Sequence, residues 1–508
     1  MQRQEKLTRR ELLGGASALA LAPGLLRRSG GERKGPAKRR KDGGVRNIVF
    51  MVSDGMSAGV PALAEPFSRL VRGRGTDWYA LVKDGETRLG YLQTDSLSSM
   101  VTDSSAASSA WGSGSRVCNG SLNVLPDGRK LTPIGHLAKG AGMSVGLVTT
   151  TTVTHATPAG FASVQESRGD EEAIALDYLD VVDVALGGGE AFFSAARRSD
   201  NRDVYGEYRS RGYKVCRSRD ELLGAGEAGK VVGCFSDGHL PYTIDQLNGS
   251  GEVTAVPSLA EMTAVALDVL EKRGTGFLLQ IEGGRVDHAA HANDAAGILW
   301  EQVAFDDAIG VVGGFVEAHP ETLVVVTTDH GNSNPGLIGM GARYSKSTAC
   351  FERLKGVRGS FTTIHRAMRD AGGEGGAPLA DEVGEIMSAY TGITIADDEA
   401  AAIAKVMQGG RSEDVHAQHR GIVGALGQTM CNHVGIGWTG TAHTADLALT
   451  AAFGAGRERL AGLRHHTDVF GVMTDLMGVE HENARMAEDE GGGYVGVERQ
   501  DREGAEII

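Results

Sequence analysis

Residues 276–293 read GFLLQIEGGRVDHAAHAN. The run from Phe277 to Ile281 is continuously apolar, as a strand buried on both faces of a parallel sheet would be. Glu282, Asp287, His288 and His291 follow within ten residues. Asp287 and His291 are four apart, so on a helical turn they share a face, the spacing that brings two side chains to one metal ion. Glu282 sits at the carboxyl end of the strand, where α/β sheets carry their ligands. Taken alone, the stretch also fits a solvated helix start with incidental histidines. Four further stretches end strands in Asp, Ser, Thr or His, and together they read as a scaffold for a metal cluster.

The 508 residues include 74 Gly, with 41% hydrophobic and only 5% aromatic residues. That is enough chain for a large core, and the glycines suggest tight turns and close backbone approaches. The net charge of -14 is uneven: residues 1–41 hold twelve Lys and Arg against three Glu, a net of +9, which leaves -23 on the remainder. A body this acidic is a poor nucleic-acid binder. No apolar stretch is long enough to span a membrane. The five cysteines are scattered and form no CxxC. Free, mostly buried thiols are expected, with a Cys216–Cys234 pair as the alternative in an exported protein.

Arg9-Arg10 precede the moderately apolar segment from Leu12 to Leu26, and a basic linker follows. Residues 1–44 therefore resemble a twin-arginine export signal, which implies a periplasmic or extracellular destination. The strand NIVFMVS, 47–53, runs straight into Asp54-Gly55, where Asp54 reads as a metal ligand or a helix cap. In VTDSSAASSAW, 101–111, Ser104 stands at the start of a predicted helix, where unpaired N–H groups favour an oxyanion or a phosphate, or simply a capping hydroxyl. Val145–Thr154 is a strand that leads into His155-Ala156-Thr157-Pro158, with Arg168, a planar fork suited to phosphate, thirteen residues after His155. Thr322–Thr328 is the clearest buried strand and ends in Asp329-His330. Residues 336–436 read as a Gly-rich, helical insertion able to cover or flank the site, with His416 and His419 on its surface. Gly437 to Thr444 returns to the core with His443 among small residues. Residues 481–508 read as an acidic, frayed tail. The expected fold is α/β, a large, mostly parallel central sheet with helices on both faces and a core spanning 45–335.

DGMS, VTDSSAAS, HATP with its later arginine, EGGRVDHAAH, TTDHGN and AHT occur in this order across most of the chain, which thereby resembles the alkaline phosphatase family. The resemblance implies hydrolysis of phosphate monoesters at a site of two Zn2+ and one Mg2+. One zinc would be held by Asp287, His291 and His443, with His433 as the fallback for His443. The other would be held by Asp54, Asp329 and His330, and the magnesium by Asp54, Thr157 and Glu282. His155 and His288 match positions beside the third metal, where family members vary. Ser104, directly after Asp103, would be the nucleophile that forms a phosphoserine, and Arg168 would clamp the phosphate. Homodimers are a further implication. A phosphodiesterase of the same superfamily is the alternative, and the Glu282/Thr157 pair argues for monoesters. A sulfatase is set aside because Ser104 is followed by Ser-Ala-Ala rather than x-Pro-x-Arg.

Overall fold

Asn47–Ser53 (β1) is a run of apolar and β-branched residues, and all seven are buried. In the computed structural model, which describes residues 44–341, 344–373, 376–491 and 493–496, β1 lies inside a ten-stranded sheet. The strands that follow are Arg88–Gln93 (β2), Ser144–Thr152 (β3), Val184–Gly188 (β4), Lys214–Cys216 (β5), Val231–Cys234 (β6), Phe277–Gly283 (β7) and Thr322–Thr327 (β8). Four two-residue strands come next: Gly331–Asn332 (β9), Gly336–Leu337 (β10), Ile436–Gly437 (β11) and His443–Thr444 (β12). Ala448–Gly454 (β13) and Gly462–His465 (β14) complete the set. The sheet order is β14-β2-β13-β8-β1-β7-β3-β4-β6-β5, and only the pairs that include β13 are antiparallel.

Alternate residues of β1 point to opposite faces, so the strand feeds two cores. Ile48, Phe50 and Val52 pack with Trp111, Leu147 and Phe161. Val49 and Met51 pack with Leu279, Phe305 and Ile309 on the other side. Helices therefore cover both faces, as a parallel sheet requires. Ala295–Ala318 is a long helix with most of its residues buried.

The register fixes where chemistry can gather. Val52 is level with Glu282 on one side and Thr327 on the other, and Glu282 is level with Thr149 of β3. The carboxyl ends of β8, β1, β7 and β3 thus lie in one row, with neighbouring strands roughly 4.8 Å apart.

Among the described residues, 346–434 contribute five α-helices: Lys346–Glu352, Phe361–Ala371, Ala380–Thr391, Asp397–Met407 and Ile422–Val434. Their core, with Phe361, Met368, Met387, Ile403 and Leu426, is shared with Phe67, Ile298 and Leu299 of the sheet-flanking helices. Buried Asp294 caps Ala295–Ala318 and also accepts the Phe361 N–H at 2.8 Å. Asp245 takes the Ser360 N–H and hydroxyl at 2.8 and 2.6 Å.

Two expectations need correction. His419 is buried rather than on the surface, with its Nδ1 3.2 Å from Gln428 Nε2. Much of the segment read as a frayed tail is docked: Asn483 donates to Ser113 O and Thr132 O, and the Val495 N–H donates to Leu97 O. The reason is Arg116, a buried guanidinium whose partners are Asp95 at 2.6 Å and Asp489 at 2.8 Å. All five cysteines are free thiols, Cys216 and Cys234 included. The segment resembling an export signal, up to residue 43, lies outside the described residues.

The helices Ser104–Ser113 and Ala156–Ala162 meet backbone to backbone. A Cβ on Gly112 would fall 2.2 Å from Gly160 O, and one on Gly160 would fall 2.7 Å from the Ser108 carbonyl carbon. Gly160→Ala is expected to force these helices apart and to cost about 1–3 kcal/mol. A lowered Tm in thermal unfolding checks this; an unchanged Tm would show that the contact has slack.

Candidate active site

Each strand end in the row delivers one donor to a single buried site. Past β1, Gly55 turns with φ +66°, and its N–H donates to Asp329 Oδ1 at 3.0 Å. A Cβ there would lie 2.3 Å from Asp287 Oδ1, so the turn has room only for glycine. On β7, Glu282 Oε2 accepts the Thr149 hydroxyl at 2.5 Å and the Thr151 hydroxyl at 3.3 Å, while Oε1 has no hydrogen-bond partner among the described residues. Past β8, Asp329 Oδ2 lies 3.1 Å from His330 Nε2. Past β3, the Thr157 hydroxyl donates to Asp54 Oδ2 at 3.3 Å.

The sequence-predicted ligands come together in three groups, in each of which the donor atoms lie within 4.8 Å of one another: Asp287 with His291 and His443, Asp54 with Asp329 and His330, and Asp54 with His155 and Glu282. Asp287 and His291 share one face of Arg285–His291, as their spacing predicted. β12 pairs with β9 and carries His443 to them, so that His291 Nε2 and His443 Nε2 are 3.0 Å apart. The alternative ligand, His433, lies instead with Glu399 at 2.8 Å.

The donor set suits cations. His291 Nδ1 donates to Thr441 O at 2.7 Å and His443 Nδ1 donates to Thr102 O at 2.9 Å. A neutral imidazole that donates through Nδ1 has a bare lone pair on Nε2. Two such lone pairs face each other beside Asp287, an arrangement that zinc, bound at roughly 2.0–2.1 Å by imidazole, would satisfy. Asp54, Glu282, Asp287 and Asp329 are all at most 3% exposed. Burial pushes Glu282 up to about 7 and raises Asp329 as well. Burial thus holds these two carboxylates toward the protonated form, and a positive charge beside them would favour the ionised one. Carboxylates with a threonine hydroxyl around Asp54 and Glu282 form the harder, oxygen-rich group that suits magnesium.

Ser104 opens the helix Ser104–Ser113, capped by Asp103, which accepts the Ala106 N–H at 2.8 Å. The serine is fully buried, with Oγ 3.4 Å from His330 Nε2. Neighbouring Ser105 donates to Asp103 Oδ2 at 2.6 Å and is thereby occupied. Arg168 donates to Asp103 Oδ2 at 3.2 Å and to His155 Nε2 at 3.0 Å. The Ser104 hydroxyl thus borders the Asp54/Asp329/His330 group through His330, and the Arg168 guanidinium borders the Asp54/His155/Glu282 group through His155.

Some contributors carry no readable sequence signal. Asn332 donates to Asp287 Oδ1 at 2.7 Å, and Thr149 and Thr151 hold Glu282. His239, from a region without a motif, packs its ring 4.5 Å from that of His288. Only the fold brings it there.

Fold and site together define a metal-dependent hydrolase of the α/β class. The alkaline phosphatase family model matches residues 45–479. Alkaline phosphatase 4 of Bacillus subtilis is 28% identical over 453 residues, 87% of this chain and 91% of that one. The crystal structure of Thermus thermophilus alkaline phosphatase superposes with a TM-score of 0.81 at 36% identity, covering 88% of this chain and 94% of that one. The cold-active enzyme of a Shewanella species gives 0.69 at 29% identity, covering 85% and 99%. The chain belongs to the alkaline phosphatase family and is a phosphatase. Among the described residues no helix is long and apolar enough to cross a membrane.

Metal removal should expose the carboxylate burden. Without metal, Glu282 titrates near 7 when folded, against about 4.3 unfolded. Its contribution to stability is complete below the unfolded pKa and is lost as pH rises through about 7. Chelator-treated protein is therefore expected to melt progressively lower as pH rises from about 4.3 to about 7, on the order of a few kcal/mol in stability, and divalent cations should restore it. A melting temperature independent of both pH and metal would contradict this.

Proposed function

We propose that this chain hydrolyses phosphate monoesters through a phosphoserine on Ser104, at a site holding two Zn2+ and one Mg2+. The carrying observation is the Ser104 hydroxyl beside His330 of the Asp54/Asp329/His330 group, with His443 hydrogen-bonded to the carbonyl of Thr102, two residues before the serine. Asp287, His291 and His443 would hold one zinc, Asp54, Asp329 and His330 the other, and Asp54, Thr157 and Glu282 the magnesium, with His155 as an additional neighbour. When bound, these ions supply Lewis acidity that favours the ionised serine and offsets charge on the phosphoryl oxygens.

The remaining work falls to the chain. Ser104 sits at the first turn of its helix, so backbone N–H groups and the helix dipole favour negative charge there. Its oxygen attacks phosphorus in line; the Oγ–P bond forms as the bond to the leaving alcohol breaks. Water then attacks the phosphoserine, the Oγ–P bond breaks, and the serine recovers a proton. Arg168 is pre-set by Asp103 and His155 to grip two non-bridging oxygens through its planar fork. The extra oxygen-rich group around Glu282 supports monoester over diester substrates.

Export and pairing belong to the same reading. Arg9-Arg10 before Leu12–Leu26 supports a twin-arginine route to the periplasm or cell exterior, a route that takes proteins already folded. The family resemblance supports a homodimer.

Ser104→Ala is expected to lower kcat for p-nitrophenyl phosphate by roughly three orders of magnitude and to abolish acid-stable phosphate labelling, with metal content by mass spectrometry unchanged. Turnover of bis(p-nitrophenyl) phosphate by the unaltered enzyme should be far slower. A label that survives Ser104→Ala, or a preference for the diester, would defeat the assignment.

A further inference from the structure

Arg285, His239, His288 and Tyr242 adjoin the phosphate clamp, yet the reaction as proposed gives them nothing to do. Arg285 is partly buried, its NH1 donates to His288 Nδ1 at 2.6 Å, and its guanidinium carbon lies 3.8 Å from the Tyr242 ring centroid. Arginine can only donate, so His288 is neutral and carries its proton on Nε2. His239 Nδ1 accepts the Thr152 N–H at 3.0 Å, which likewise leaves the proton on Nε2. The rings of His288 and His239 lie 5.9 and 5.6 Å from that of His155, whose Nε2 accepts from Arg168. The group is therefore continuous with the residue that would grip the substrate.

What sets Arg285 apart is its missing counter-charge. Among the described residues it forms no ion pair with a carboxylate, and its Nε, out of contact with solvent, has no hydrogen-bond partner. Glu301 feels the guanidinium, but that carboxyl is committed to the Thr243 N–H at 2.5 Å. Stacking on Tyr242 uses the flat face of the guanidinium; of its edge donors, NH1 serves His288 Nδ1 while Nε has no hydrogen-bond partner among the described residues. A cation drawn out of water without an anion is costly, and arginine's planar fork matches phosphate oxygens.

We propose that Arg285, with the Nε2–H groups of His288 and His239, forms a second anion subsite, and that the enzyme favours phosphate monoesters whose alcohol carries another phosphate group. This deepens the phosphomonoesterase reading and rests on it.

The test compares ethyl phosphate with ethane-1,2-diyl bisphosphate on the metal-loaded enzyme, before and after Arg285→Leu and Arg285→Lys. The unaltered enzyme is expected to show a kcat/KM roughly tenfold higher for the bisphosphate, about 1.4 kcal/mol, carried mainly by KM. Arg285→Leu should bring that ratio close to one, and Arg285→Lys should restore part of it. Equal kcat/KM for the two substrates in the unaltered enzyme overturns the proposal, and that comparison needs no variant to fold. So does a ratio that survives Arg285→Leu, which would make the residue a packing element only. Failure of the unaltered enzyme to hydrolyse either ester would instead overturn the parent reading, and this inference with it.

Discussion

Four carboxylates, Asp54, Glu282, Asp287 and Asp329, lie almost wholly out of water at one edge of the sheet. Left to themselves they would repel one another and take up protons, as the upward shifts at Glu282 and Asp329 register. The surrounding structure accepts that cost and fixes the carboxylates with neutral donors: Thr149 and Thr151 on Glu282, the Gly55 N–H on Asp329, Asn332 on Asp287. Neutral donors orient a carboxylate without cancelling its charge. The site therefore keeps an appetite for divalent cations, and the two facing imidazoles of His291 and His443 sharpen it with nitrogen ligands.

The sheet makes this arrangement rigid. Because β1 pairs with both β7 and β8 in level register, residues distant in sequence become neighbours at a spacing set by backbone hydrogen bonds rather than by side chains. The nucleophile approaches from another layer. Its helix rests on the neighbouring helix through Gly112 and Gly160, so Ser104 is held by backbone contact, close to the helix that bears Thr157. The helices of residues 346–434 are fastened to the sheet-flanking helices: Asp294 joins the start of Phe361–Ala371 to Ala295–Ala318, and one apolar core runs through both.

Much of this was legible in the linear chain. The apolar runs 277–281 and 322–328 announced buried parallel strands because parallel sheets hide both faces. The i, i+4 relation of Asp287 and His291 announced a shared face because helical geometry is local. His443 is carried beside His291 by a two-residue strand pairing, β12 with β9, which no pattern of hydrophobicity reveals. The positions of Thr149, Asn332 and His239 were likewise silent, since a threonine in a strand or an asparagine in a turn has many ordinary uses. The docked C-terminal segment was misjudged for the same reason: its acidic, Gly-containing sequence reads as solvated, and only the buried Arg116 explains why Asp489 leaves water.

The chain by itself determined which chemical groups were available and the local geometry of each, because strand burial, helical spacing and turn glycines depend on near neighbours. The tertiary structure alone decided which groups share a site, because strand order and register bring together residues up to 389 positions apart, Asp54 and His443 among them. It also decided which charges lack a partner. Whether a guanidinium such as that of Arg285 is neutralised depends on everything packed around it, and the sequence of its own helix carries no record of that.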